Sequence, residues 1–250
     1  MDKDARPFCS DHASNIRNCV MAAMRNAANP ARARQQQQYM KSDMPYYGVG
    51  VPNGRRIAQY VFRMHALPDA EAWEASILCL WRKAAYREER YAAIDLLHFK
   101  RYRSWLEPAR IPLVEELVVT GAWWDYVDAI AGRAIGDMLI AHPRPLRSLL
   151  RHWASDRNIW KRRAAILSQL RAKQATDTSL LADTILPSIG ETEFFLRKGI
   201  GWALREYSKT SPHWVLEFVA NHPGLSGLSR REALKHLKRT NADSRSGTAR

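Results

Sequence analysis

The chain has 250 residues, 46% hydrophobic and 26% charged, enough apolar material for one large core or two small ones. Lys and Arg total 39 against 25 Asp and Glu, a formal charge of +14, while 12 Gly and 12 Pro are few for an all-β chain of tight turns. Collagen-like and fully disordered classes are excluded, and the charge points to a polyanionic partner, nucleic acid first and an anionic membrane surface second.

Cys9, Cys19 and Cys79 lie far apart with no CxxC pair, which argues against a zinc finger or ribbon. Their odd number and the absence of a disulfide framework fit a reducing cytoplasm. No H-E-x-x-H, glycine-rich phosphate loop or G-x-S-x-G occurs, so no metal site is expected and nucleotide or serine-hydrolase chemistry has no support. Neither a secretory apolar region nor a membrane-length apolar run is present.

Helix signals recur in chain order. Asp11 or Ser14 opens a helix through Val20 to Met24, which Asn29-Pro30 ends. A polar stretch with Gln35 to Gln38 leads to Tyr39-Met40, and Tyr46 to Pro52 reads as a loop with Pro52 in the first turn of the next helix. Asp69 caps a helix carrying Trp73, Ile77, Leu80 and Trp81 on one face. Asp156 is a cap candidate before Ile159-Trp160, Ser211-Pro212 begins another helix, and Ser229 with Glu232 forms a capping box. The polar tail 241–250 lacks periodicity and is expected to be disordered.

A repeat underlies these helices. The pairs Ala93-Ile94, Ala129-Ile130, Ala165-Ile166, Gly199-Ile200 and Ala233-Leu234 recur at spacings of 36, 36, 34 and 34 residues, each preceded by a further helix. Two helices per such period predict an all-α fold, an α-solenoid of HEAT-like repeats occupying 1–240 as a single domain, with 1–38 as an N-terminal helical extension. Coincidental spacing in a plain helical bundle is the alternative. The second helices carry Lys161, Arg162, Arg163, Arg197, Lys198, Arg205, Arg230, Arg231, Lys235, Lys238 and Arg239, which predicts a concave basic groove.

Within Gly121 to Asp128, Trp123, Val127, Ile130 and Ala134 are spaced as a core stripe, whereas Trp124 and Asp128 stack four apart on a neighbouring face. Asp125 suits the helix dipole in a first turn. Asp128 sits deeper, as a salt-bridge partner for a neighbouring Arg or as a functional carboxylate. Arg163 interrupts the apolar face of Ile159, Ile166 and Leu170, either as a stem over the core edge or as a phosphate clamp. Phe195, Gly199 and Trp202 share a face beside Lys198 and Arg205, with Gly199 permitting close approach by a ligand or by another helix.

Several runs carry a resemblance. Pro112 to Thr120, Trp123-Trp124-Asp125 with Val127-Asp128, Asn158 to Trp160 with Arg163 to Leu167, and Gly201-Trp202 with Leu204 to Tyr207 resemble the AlkD family. So do Tyr39 to Lys41, the Tyr47-Gly48-Val49 loop with Pro52 and Arg56, and Ser229 to Ala233. That family comprises bacterial DNA alkylation-repair glycosylases built of HEAT-like repeats, and the similarity spans roughly residues 35 to 240. It implies hydrolysis of the N-glycosidic bond of cationic N3- or N7-alkylated purines in duplex DNA, without base flipping. By position, Asp128 matches the catalytic aspartate, and Trp124 and Trp202 match an aromatic pair at the lesion's deoxyribose. Arg163 matches an arginine at the DNA backbone and Tyr39 a tyrosine near the groove, with Arg162, Lys198, Arg205 and Phe195 completing the expected DNA surface. Gly50 and the stretch 1–38 depart from the family pattern, leaving lesion range open, bulky adducts included.

The chemistry agrees with these residue types. A cationic purine is already a good leaving group, and a carboxylate both stabilises an oxocarbenium-like sugar and orients water. No cofactor is implied. Lys161 and Lys198 match no catalytic position of the family, so a monofunctional, monomeric enzyme is expected, cytoplasmic and associated with the nucleoid through DNA. Three other readings stand beside it: a catalytically silent DNA-binding repeat module, a scaffold for an acidic protein, and a self-resistance glycosylase for bulky adducts.

Overall fold

The computed structural model describes residues 9 to 247, with side chains through Leu237. Its helices fall into two compact units, 1–113 and 114–250, a division that the even repeat spacing does not reveal. Among the described residues every regular element is helical.

The first unit holds α1 (Asp11–Asn26), α2 (Pro30–Met40), α3 (Val51–Met64), α4 (Ala70–Arg82) and α5 (Arg87–Leu97), followed by short 3-10 turns. Helix α1 packs on α3 and α4, and α5 packs on α3 and α4. The predicted stripe of Trp73, Ile77, Leu80 and Trp81 is fully buried, and Asp69 caps α4 by accepting from the Ala72 N–H at 2.7 Å. Ser10, not Asp11 or Ser14, caps α1. Asn29 caps α2 rather than merely ending α1, so the Gln-rich stretch is itself helical, with Pro30 at its first position. Only Met40 of α2 is buried, which explains why no apolar periodicity announces this helix.

Cys9 and Cys79 form a disulfide, joining the start of α1 to α4 beside Ala13. The expectation of unpaired thiols is corrected here: 70 residues separate the two cysteines, so sequence proximity does not signal the pair, while helix packing brings their Cα atoms to 5.7 Å. Cys19 stays free.

The second unit contains α6 (Ile111–Gly121), whose first turn holds the division, then α7 (Trp124–Ala129) and α8 (Gly136–Ala141), joined by a π-helical turn over Ile130–Ile135. It continues with α9 (Pro143–Ala154), α10 (Ile159–Leu167), α11 (Thr178–Ile185), α12 (Phe194–Tyr207), α13 (Pro212–Asn221) and α14 (Gly227–Gly247). The second helix of each predicted pair packs on the next: α7 on α10, α10 on α12, and α12 on α14. Among the first helices, α9 packs on α11. The repeat positions Ile130, Ala165, Ile166, Ile200 and Ala233 are buried where these rows meet, as a repeat requires.

Three local readings change. Asn158 caps α10, while Asp156 braces it by accepting from the Asn158 N–H and pairing with Lys161. Ser226 rather than Ser229 takes the capping role, since the Ser226 hydroxyl accepts from the Ser229 N–H. Helix α14 also continues to Gly247, beyond Asn241 where the polar tail begins.

Candidate functional site

The site grows from the second helices of three successive pairs. A left-handed residue, Ala122 (φ 42°), breaks the chain after α6, and α7 begins at Trp124. Trp124 and Asp128 therefore lie one turn apart on α7, Trp124 half-buried and the Asp128 side chain only 10% exposed. Arg163, in the middle of α10, crosses to α7: its Nε donates to Asp128 Oδ1 at 2.7 Å and its Nη2 to Oδ2 at 2.9 Å. Its remaining nitrogen, Nη1, donates to the carbonyl of Phe195 at the start of α12. One guanidinium thus ties together α7, α10 and α12. The pair is nearly enclosed, with side-chain exposures of 10% for Asp128 and 6% for Arg163.

Arg163 is accordingly neither a solvated stem nor a free clamp; it holds Asp128. Burial pushes the Asp128 carboxyl above its ordinary range, opposed by the hydrogen bond and charge of Arg163 and aided slightly by Asp125. Each carboxylate oxygen spends one lone pair on the guanidinium and keeps another for a water. The Phe195 end is wedged by rings: Phe195 lies 5.4 Å from Trp123 and 5.1 Å from Trp160, with the tryptophans 6.3 Å apart. Phe195 enters the site through its backbone carbonyl, with its ring in this wedge.

Trp202 follows on α12, one turn after Lys198, and is half-buried. Lys198 and Arg205 both pair with Glu232 of α14, Lys198 Nζ at 2.9 Å from Oε1 and Arg205 Nη1 against Oε2. The Lys198 hydrogen bond is the main cause that holds the Glu232 carboxyl below its usual range. Arg162 donates to Ser188 Oγ and, at 2.7 Å, to Glu191. Lys161 bridges Glu115 and Asp156. Of the cations expected to face a polyanion, Lys161, Arg162, Arg163, Lys198 and Arg205 are thus paired with carboxylates of their own unit, Arg230 donates to the carbonyls of Val219 and His222, and Arg231 and Lys235 are exposed. Lys238 and Arg239 lie outside the described side chains. Tyr39 lies in the last turn of α2 in the first unit, 77% exposed.

Sequence reading missed the Glu232 pairings and the Phe195 carbonyl. The repeat register carries a signal for the former: residues one period apart on neighbouring second helices face each other. Asp128 and Arg163 are 35 residues apart, and Lys198 and Glu232 are 34 apart. Among the described residues no cluster of His, Cys, Asp and Glu could hold a metal ion, and no helix is long and apolar enough to cross a membrane.

The fold and this paired carboxylate fit a helical-repeat DNA-repair protein. The family model for DNA alkylation repair enzymes matches residues 20–237, and the chain belongs to that family. It is similar to the solved structure of a predicted DNA alkylation repair enzyme from Enterococcus faecalis, at 31% identity over 84% of this chain and 96% of that one, with a TM-score of 0.70. A Pseudomonas fluorescens alkylpurine DNA glycosylase, AlkC, bound to DNA with an abasic-site analogue, matches at 15% identity over 92% of this chain and 63% of that one, with a TM-score of 0.49. Comparison with curated proteins gave no match.

Proposed function

We propose that the protein is a monofunctional glycosylase of the AlkD type, acting on cationic N3- or N7-alkylated purines in duplex DNA, with Asp128 as its catalytic carboxylate. The observation that carries this reading is the enclosed Asp128–Arg163 pair beside Trp124, within a chain of the alkylation-repair family. Arg163 offsets the burial that disfavours the Asp128 anion, keeping a negative charge where the sugar becomes positive.

The steps balance without a cofactor. The C1′–N bond breaks, its electron pair neutralises the cationic purine, and positive charge develops on the deoxyribose. Asp128 stabilises that charge and takes the proton of the attacking water, whose oxygen bonds to C1′ and leaves an abasic site. A unit charge at 4 Å and an effective dielectric of about 20 contributes about 4 kcal/mol, and an indole face about 0.5 to 2 kcal/mol for a nearby cation. Trp124 and Trp202 are assigned that second role. Terms of this size assist a charged leaving group and fall short for a neutral base. Arg162, Lys198, Arg205 and Tyr39 are assigned to the DNA backbone, where Lys198 and Arg205 must exchange Glu232 for phosphate.

The test is release of free 7-methylguanine and 3-methyladenine from methylated duplex DNA, with undamaged guanine and adenine as controls. Release of the methylated bases alone supports the reading. Duplex binding without release makes the protein a silent DNA-binding repeat module.

A further inference from the structure

The first unit contains a buried carboxylate that the proposed chemistry does not use. Glu88, in the first turn of α5, is 2% exposed and accepts three backbone N–H groups of one loop: Tyr47 at 3.0 Å on Oε2, and Gly48 at 3.0 Å and Val49 at 3.1 Å on Oε1. Its neighbour Glu89 accepts the Tyr47 hydroxyl at 3.0 Å, and Tyr47 stacks on Tyr86 at 3.9 Å. The loop in turn holds α2. The Asn29 N–H donates to the Tyr47 carbonyl at 2.8 Å, and side chains of Arg32 and Gln36 reach the carbonyls of Gly48 and Val49. The contact is backbone on backbone: Gly48 has φ +82°, and a Cβ there would stand 2.0 Å from the Asn29 carbonyl oxygen and 2.8 Å from the Ala33 nitrogen.

Helix α2 needs this seat. Eleven residues are too few for a stable isolated helix in water, and only Met40 is buried. What α2 presents outward is a cationic, acid-free surface: between Pro30 and Lys41 stand Arg32, Arg34 and Lys41 and no Asp or Glu, with Gln35, Gln38 and Tyr39 exposed among them. Here, in contrast to the second unit, the helix carries no carboxylate of its own to occupy its cations. Guanidinium and amide groups on such a face suit phosphate oxygens.

We infer that Glu88 is a positioning residue for DNA: by clamping the Tyr47–Val49 backbone it seats α2 as a docking surface for the sugar-phosphate backbone. This rests on DNA being the partner, as proposed above. Glu88 touches no substrate itself; it acts through the loop and α2.

The experiment uses the full chain and a labelled undamaged duplex. Glu88→Gln puts an amide NH2 among the three N–H donors and releases the loop. The expected result is duplex affinity weakened about tenfold, with the salt slope reduced by about 1 to 2 as phosphate contacts are lost. On methylated duplex, KM rises by the same factor while kcat at saturation stays within about twofold, because the Asp128–Arg163 pair is built wholly of second-unit residues. Trypsin cuts faster after Arg32 and Arg34. Removing the surface with Arg34→Ala and Tyr39→Ala weakens binding similarly, and adding Glu88→Gln then weakens it little further, a non-additivity that general destabilisation does not produce. If Glu88→Gln does not fold, Gly48→Ala lifts α2 from the other side and is expected to give the same pattern. Unchanged affinity and trypsin rates in Glu88→Gln, or full additivity in the combined variant, overturns the inference. Absence of duplex binding by the wild type overturns the DNA reading, while the trypsin rates still report whether Glu88 holds α2.

Discussion

Removing Arg163 is the sharpest structural test of the site. The guanidinium meets both oxygens of Asp128 at 2.7 and 2.9 Å, and both side chains are at most 10% exposed. Charges about 3 Å apart at an effective dielectric of about 20 attract by about 5 to 6 kcal/mol, and breaking a buried pair by deleting one partner costs about 3 to 5 kcal/mol. Arg163→Ala leaves the Asp128 carboxylate enclosed with no counter-charge and also vacates the Phe195 carbonyl. A loss of about 3 kcal/mol at pH 7 lowers Tm by about 6 to 12 °C for a chain of this size. The pH dependence fixes the cause. In the wild type burial already raises the Asp128 pKa, and without Arg163 it rises further, so the folded variant binds its proton more tightly than the unfolded chain does. Stability tied to that proton is present below the unfolded pKa and lost as pH rises through the folded one. The deficit relative to wild type is therefore largest near neutrality and shrinks toward pH 4. Thermal or urea unfolding of both proteins between pH 4 and 8 measures it. An unchanged Tm at pH 7, or a deficit that grows on acidification, refutes the reasoning.

Other perturbations follow from the same geometry. Glu232→Gln frees Lys198 and Arg205 for phosphate, so duplex binding at low salt tightens and its salt slope steepens by about 1 to 2, read by titration at several salt concentrations. Because the wild-type Glu232 pKa is lowered, its contribution to stability is present above the ordinary carboxylate range and fades as pH falls; an acid unfolding profile that does not differ between Glu232→Gln and wild type contradicts this. Gly201→Ala places a Cβ 2.6 Å from Glu232 Cβ and 3.0 Å from the Ser229 carbonyl oxygen where α12 meets α14, and the overpacking is expected to cost about 1 to 3 kcal/mol in urea unfolding. The Cys9–Cys79 bridge closes a loop of 70 residues, so reduction is expected to destabilise the first unit by about 4 kcal/mol, measured as unfolding with and without a thiol reductant; coincident curves sink the prediction.

The helical fold was legible because apolar periodicity and repeat spacing both come from burial, and burial is written in side-chain type. Ile130, Ile166 and Ile200 lie where the register places them. Helical character was expected over 1–38, but the start and end of α2 were not read, because its stability comes from a backbone seat on Gly48, which leaves no apolar stripe. The disulfide escaped for a related reason: Cys9 and Cys79 meet only through the packing of α1 on α4. At the site, Asp128 stood out as a carboxylate too deep in its helix for a dipole role, and Arg163 as a charge on an apolar face. That each answers the other follows from the 35-residue register between them. The Glu232 pairings were hidden because Ser229-x-x-Glu232 also reads as a capping box, and sequence alone does not choose between a local partner and one on the preceding repeat.

The most direct measurement is single-turnover release of 7-methylguanine from a defined duplex by wild type and Asp128→Asn, with the affinity of each for the same DNA. The amide keeps one oxygen for Arg163, removes the negative charge, and sets an NH2 in place of the second oxygen that the guanidinium met. The expected result is base release by the wild type, loss of at least about a hundredfold in rate for Asp128→Asn, and equal or tighter DNA binding by the variant. Equal rates for the two proteins would remove Asp128 from the chemistry and contradict the account.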